Sequence, residues 1–320
     1  MLMSTRRVVA LGSAALGALV ALNGALTAAP SQPASLMPGE SRRFAWDLGS
    51  VHYTVQGRGS PIVLVHGLGV AASSFEYRYV VETLARAHGV FALDLLGFGL
   101  SDHPAIAFTG SMYVKLLADF LKHEVELPAV LVGTGQAALY CTAVAAQHPE
   151  RVSAAVLNSP DDPAGRPELP PVMRQTVAAV LSAPIAGQSL FLALTARNAL
   201  RSSLRERAYS NPDLVTESMV DAQYAMAHQR NARIAPRAYL AGHLQYGATR
   251  ALALVRQPLL LVVGGNVVPS PLPRVAEYVR LAAQAQVRII DRCGTLPHEE
   301  QPEQYTQAML SWLSASAGPA

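Results

Sequence analysis

The residues best placed to do chemistry lie in Ala129–Cys141, AVLVGTGQAALYC, which has the setting of a nucleophile and lacks the nucleophile. An apolar strand over Ala129–Val132 runs into Gly133-Thr134-Gly135 and then into a helical stretch, Gln136–Gln147. A strand, a sharp turn and a helix in that order lift a catalytic serine above a sheet when the turn reads G-x-S-x-G. Here the serine slot is Gly135, and the closing glycine slot is Ala137, small enough for the helix to pack close to the strand. Thr134 precedes the slot and is expected to point away from the apex. Cys141 lies about two turns into the following helix and is expected to be buried.

Such a turn needs a sheet beneath it, and the chain supplies one. Pro61–Val65 (PIVLV) is a continuous apolar run, as expected of a strand buried on both faces. Further strands are predicted at Ser50–Val55, Val90–Leu95, Ala154–Leu157, Pro258–Val263 and Val287–Ile290, with a hairpin-like turn at Gly57–Ser60. Helices are predicted around Phe75–Ala87 and Ser111–His123. Short apolar strands alternating with helices imply an α/β protein whose mostly parallel central sheet is covered by helices on both faces. Between Pro160 and about Val255 no strand is legible, so a helical insertion over residues 161–254 is expected after the sixth strand. The core then comprises residues 44–160 and 255–320.

Composition sets the outer bounds. A hydrophobic content of 51% with 15% charged residues suits a chain with a sizeable core. The net charge is only +3, and two of the positives, Arg6 and Arg7, sit in the leader, so no clustered basic face for nucleic acid is expected. Cys141 and Cys293 are too few for a disulfide framework and too far apart for a zinc ribbon; both are expected to be free. No metal or cofactor is expected. Residues 1–29 combine Arg6-Arg7 with an uncharged run over residues 8–29, which reads as a signal peptide or an N-terminal membrane anchor. Residues 30–43 read as a Pro- and Ser-rich tether. Basic charge ahead of the run predicts that the folded body is exported across the cytoplasmic membrane, anchored or released by cleavage.

Five landmarks in order, PIVLVHGLG, FALDLLGFGLSDHP, LVGTGQAAL, PLLLVVGGNVVP and DRCGTLPHEEQPEQY, resemble the α/β-hydrolase superfamily. The subgroup resembled has a helical lid and includes epoxide hydrolases, haloalkane dehalogenases and esterases. The resemblance implies the α/β-hydrolase fold and a nucleophile–acid–histidine triad. Carried over position by position, the nucleophile falls on Gly135, the acid on Val267 and the histidine on Thr295, so all three positions are substituted. The loop His66-Gly67-Leu68-Gly69 would supply an oxyanion donor from Leu68 or Gly69, with Gln136 giving the second. The side chains of His66 and His298 are expected to be structural, Asp94 to tie down the GFGLSD turn, and Asp161 and Asp162 to cap the insertion. Arg201, Arg205 and Arg207 read as a solvated helix face, and Tyr224, Met226, Tyr239 and Tyr246 as lid-to-core packing.

Three vacancies at separated landmarks point to a non-catalytic protein, because members of a triad act as a unit. The expected role is binding or scaffolding, with a small apolar or carbonyl ligand, or a protein partner at the membrane. The alternative is an ester or epoxide-like hydrolase, or an enzyme of altered mechanism, working in the same pocket through displaced residues; His66, His298 and Asp161 are the acid–base groups it would draw on.

Overall fold

The computed structural model describes residues 35–165, 170–183 and 185–316. The leader and residues 30–34 of the tether lie outside the described residues. The sheet has eight strands: β1 (Glu40–Trp46), β2 (Gly49–Gln56), β3 (Pro61–Val65), β4 (Gly89–Leu93), β5 (Ala129–Thr134), β6 (Val152–Asn158), β7 (Leu259–Gly264) and β8 (Ala285–Ile290). Their spatial order is β1-β2-β4-β3-β5-β6-β7-β8. β1 and β2 join antiparallel, and every pairing from β4 through β8 is parallel. Every residue of β3, β5 and β7 is buried, as their unbroken apolar sequences require.

The structure departs from the sequence expectations at three places. β1 begins at Glu40, inside the stretch read as tether. Only Phe44 and Trp46 of that strand are buried, and so polar an edge strand carries little apolar signal. The Gly57–Ser60 turn is not a hairpin, because β2 and β3 lie on opposite sides of β4. The helix expected over Phe75–Ala87 is a 3-10 turn, Ser74–Tyr77, followed by a four-residue helix, α1 (Val81–Leu84). The N–H of Ser74 is drawn to the Asp94 carboxylate at 2.7 Å, and the following turns close with i to i+3 bonds.

Helices α2 (Gly110–His123) and α3 (Gln136–Gln147) pack beside each other on the sheet. Thr109 caps α2, its side chain accepting from the Met112 N–H. Phe120, Tyr113, Tyr140 and Phe44 fill one face of the sheet; Tyr77, Tyr305, Met309 and Trp312 fill the other. After β6 the described chain is helical up to β7: α4 (Pro171–Ser182), α5 (Ala186–Leu194), α6 (Arg197–Ser203), a π-helical turn at Leu204–Ala208, α7 (Glu217–Ala227), α8 (Ile234–Leu240) and α9 (Thr249–Leu254). Helices α10 (Leu272–Leu281), α11 (Pro297–Glu300) and α12 (Pro302–Ser316) complete the core. Among the described residues no single helix is long and apolar enough to cross a membrane.

Candidate active site

The turn at Gly135 keeps the backbone of a nucleophile elbow. Gly135 sits at φ 57°, ψ −121° between β5 and α3, a strained conformation that L side chains rarely adopt. A Cβ built there meets nothing within 4 Å, so the space above the turn is open. Gly133 has the opposite setting: a Cβ would lie 2.8 Å from Ala138 Cα and 2.8 Å from Cys141 Sγ, and glycine is what lets α3 press onto β5. Cys141 and Cys293 are both free and buried, and burial raises both thiols well above their ordinary range, so neither is a ready nucleophile.

The open space is part of a cavity of about 350 Å³ under the helical insertion, bordered by Gly67, Leu68, Gly69, Gln136, Val267 and Thr295. The positions at which the resemblance places the triad and the oxyanion donors therefore meet in one place. Gln136 opens α3, where the first N–H groups have no intrahelical partner, and its side-chain Nε2 donates to the Tyr246 carbonyl at 3.1 Å. His66 stays out of the cavity. Its Nε2 accepts from the Leu95 N–H at 3.1 Å, which leaves Nδ1 to donate to the Gly67 carbonyl at 2.6 Å, so both ring nitrogens serve the loop.

The loops that would carry the acid and the histidine have another occupation. Thr295 donates twice to the Ala208 carbonyl, from its N–H at 2.9 Å and its hydroxyl at 3.1 Å. Asn266, beside Val267, donates from Nδ2 to Ser210 Oγ at 2.7 Å. Glu300 accepts from the N–H groups of Gly294 at 2.6 Å and Asn211 at 2.7 Å, and the Tyr209 hydroxyl donates to Glu299. Segment 208–211 of the insertion is thus fastened onto the loops after β7 and β8.

Sequence reasoning missed Glu76. Its carboxylate lines the cavity with 13% of the side chain exposed, and both oxygens accept from the Gly67 N–H at 3.2 Å. The His298 imidazole, fully buried and stacked on Tyr77, stands behind it with Nε2 at 3.4 Å. Burial alone would drive the Glu76 carboxyl up; the His298 ring, the His66 ring and the Thr134 hydroxyl outweigh it and hold it below the ordinary glutamate value. Thr134 itself shares a 2.8 Å hydrogen bond with the Tyr77 hydroxyl. Glu76 is therefore an ionised carboxylate beside Thr134, the residue next to the vacated slot. No local signal marks it: in SFEYR it reads as a polar residue of a surface helix.

Asp94 accepts from Ser74 N–H, Leu100 N–H and His52, which ties down the following turn. Asp162 holds a turn by accepting from the Ala164 N–H at 2.9 Å, and caps no helix. Asp161 borders the cavity, and its N–H donates to the Gly135 carbonyl at 3.2 Å. Arg201 pairs with Glu217 at 2.5 Å on an exposed face. Tyr239 borders the cavity, Tyr246 packs on Tyr140, Met226 is buried, and Tyr224 stacks on His228 beneath Arg197. Among the described residues no cluster of His, Cys, Asp or Glu has the makings of a metal site.

One group here titrates near neutrality. Burial pushes the Glu299 carboxyl up to about 7, against the pull of Arg78, whose Nη1 lies 2.9 Å away, and with Glu76 adding to the rise. A carboxyl raised on folding binds its proton more tightly in the native state than in the unfolded chain, where it titrates near 4.3. Stability attributable to Glu299 is therefore full below about pH 4 and is lost as pH rises through about 7, by as much as about 3 kcal/mol. Urea unfolding at pH 5 and pH 8 should show wild type losing more stability across that interval than Glu299→Gln; equal losses would remove Glu299 as the cause.

The fold and the elbow together define an α/β hydrolase, and a model of the alpha/beta hydrolase family matches residues 62–308, so the chain belongs to that family. It is similar to the 2-hydroxy-6-oxo-6-(2'-aminophenyl)hexa-2,4-dienoic acid hydrolase of Metapseudomonas resinovorans, with 26% identity over 83% of this chain and 88% of that one. Haloalkane dehalogenase 2 of Mycobacterium tuberculosis is 32% identical over 39% of this chain and 43% of its own length. Among solved structures, a serine hydrolase involved in carbazole degradation superposes with a TM-score of 0.69 at 25% identity, covering 86% of this chain and 99% of that one. These relatives are catalytic hydrolases, and that overturns the expectation of a non-catalytic binding or scaffold protein.

Proposed function

We propose that this chain is a hydrolase of altered mechanism, acting on a small, largely apolar ester or related carbonyl compound in the cavity above Gly135. The observation that carries this reading is Glu76: an ionised carboxylate, backed by His298, borders the space that the missing nucleophile leaves open. In this mechanism water occupies the place of the absent side chain. Glu76 takes a proton from that water as its oxygen attacks the carbonyl carbon. The resulting oxyanion is held by the N–H of Leu68 or Gly69 and that of Gln136. Collapse of the tetrahedral intermediate breaks the bond to the leaving group, which departs with the proton from Glu76. The histidine position and the loop that holds the acid position are then free to fasten the insertion, as Thr295 and Asn266 do.

A single-turnover reaction in oxygen-18 water tests the mechanism. Direct attack puts the heavy oxygen into the acid product on the first turnover and leaves no acyl group on the protein. An acyl-enzyme trapped and mapped by mass spectrometry would overturn it. So would the failure of folded wild-type protein to hydrolyse any of a panel of small aryl and alkyl esters.

A further inference from the structure

A second constellation lies outside this cavity, at the edge of the sheet. The Ser41 hydroxyl on β1 is 2.8 Å from His52 Nε2 on β2, and His52 Nδ1 is 2.9 Å from Asp94 Oδ2 in the loop after β4. His52 and Asp94 are each only about 3% exposed in their side chains, whereas Ser41 faces solvent. Burial alone would raise the Asp94 carboxyl, but the hydrogen bond from His52, the nearby His66 and His52 rings and the Leu100 N–H together hold it below the ordinary aspartate value. An ionised Asp94 only accepts, so the proton between it and the ring sits on Nδ1, and in the neutral ring Nε2 carries the lone pair. In that tautomer the hydrogen bond runs from the serine to the imidazole, the polarity that activates a hydroxyl for attack. The carboxylate is fixed from other sides by the N–H groups of Ser74 at 2.7 Å and Leu100 at 2.9 Å, and Ser101 donates from its hydroxyl to the Asp94 carbonyl.

We infer that Ser41, His52 and Asp94 form a nucleophilic relay, separate from the elbow, which accepts acyl or phosphonyl groups from small activated esters. With an aryl ester, Ser41 Oγ forms a bond to the carbonyl carbon while His52 Nε2 takes the serine proton. The aryloxide leaves and receives that proton from His52. Water, deprotonated by the same nitrogen, then releases the acid and restores Ser41. Donors reach the serine from solvent, and among the described residues β1 is the outermost strand of the sheet, so the backbone N–H groups on its outer side have no strand partner there. The inference stands apart from the chemistry proposed for the cavity, since no group is shared between the two reactions.

Fluorophosphonate labelling of the full chain, followed by peptide mapping, tests it. The expected result is one modified residue, Ser41, with labelling abolished in Ser41→Ala and slowed about 100-fold or more in His52→Gln. Ser41 is exposed, so Ser41→Ala is expected to fold normally, and circular dichroism checks both variants. No label on folded wild type, a label mapped to another serine, or equal rates in His52→Gln would each overturn the relay.

Discussion

Glutamine at position 76 is expected to lower hydrolytic turnover by about 10²- to 10⁴-fold, the usual worth of a positioned general base. The amide keeps the shape of the side chain and still accepts from the Gly67 N–H, so the loop after β3 has no cause to move. What it lacks is the negative charge beside His298. The loss should fall on kcat with little change in KM, because the proton is transferred only as the water attacks. A companion variant separates base from scaffold. His298 is among the groups holding the Glu76 carboxyl low, so in His298→Gln that carboxyl rises and the acid limb of the pH–rate profile moves to higher pH. Steady-state kinetics over a pH series measures both effects. Undiminished kcat in Glu76→Gln would remove Glu76 from the mechanism.

The largest expected effect on stability belongs to Gly264, at the end of β7. A Cβ there would stand 1.9 Å from the Gly294 carbonyl oxygen and 2.4 Å from that of Cys293. Both are backbone atoms, and the Asn266 N–H donates to the Cys293 carbonyl at 2.9 Å, so the two loops are held against each other. Gly264→Ala must push them apart, and about 4 kcal/mol of destabilisation is expected, at the severe end for a point substitution. Gly135→Ala is the control: its Cβ has open space, so only the strain of the positive φ remains, about 1 kcal/mol. Denaturant midpoints for the two variants should differ severalfold in their shift from wild type. Similar shifts would mean that the β8 loop yields easily.

What the sequence disclosed and what it withheld follow one physical line. PIVLV and AVLVGTG are legible because strands buried on both faces must be apolar throughout, and the elbow because close packing of α3 admits only small residues at Gly133 and Ala137. β1 was hidden because ESRRFAW buries only two side chains. Glu76 was hidden for a different reason. Its character comes from Gly67, Thr134 and His298, and of these Thr134 and His298 lie more than fifty positions away in the chain, so only the fold makes a cavity carboxylate out of a surface-like residue. The Ser41 relay is similarly assembled from three segments, of which only that of Asp94 belongs to a recognisable landmark.

The double hydrogen bond from Thr295 to Ala208 bears on protein engineering. A serine at position 135 and an aspartate at 267 would each enter the cavity wall, but a histidine at 295 would give up the hydroxyl that helps fasten segment 208–211. The last step toward a conventional triad thus loosens the cover that makes the cavity a cavity. A designer restoring serine chemistry would have to redesign that cover together with the triad, and a stepwise series would lose function before gaining it.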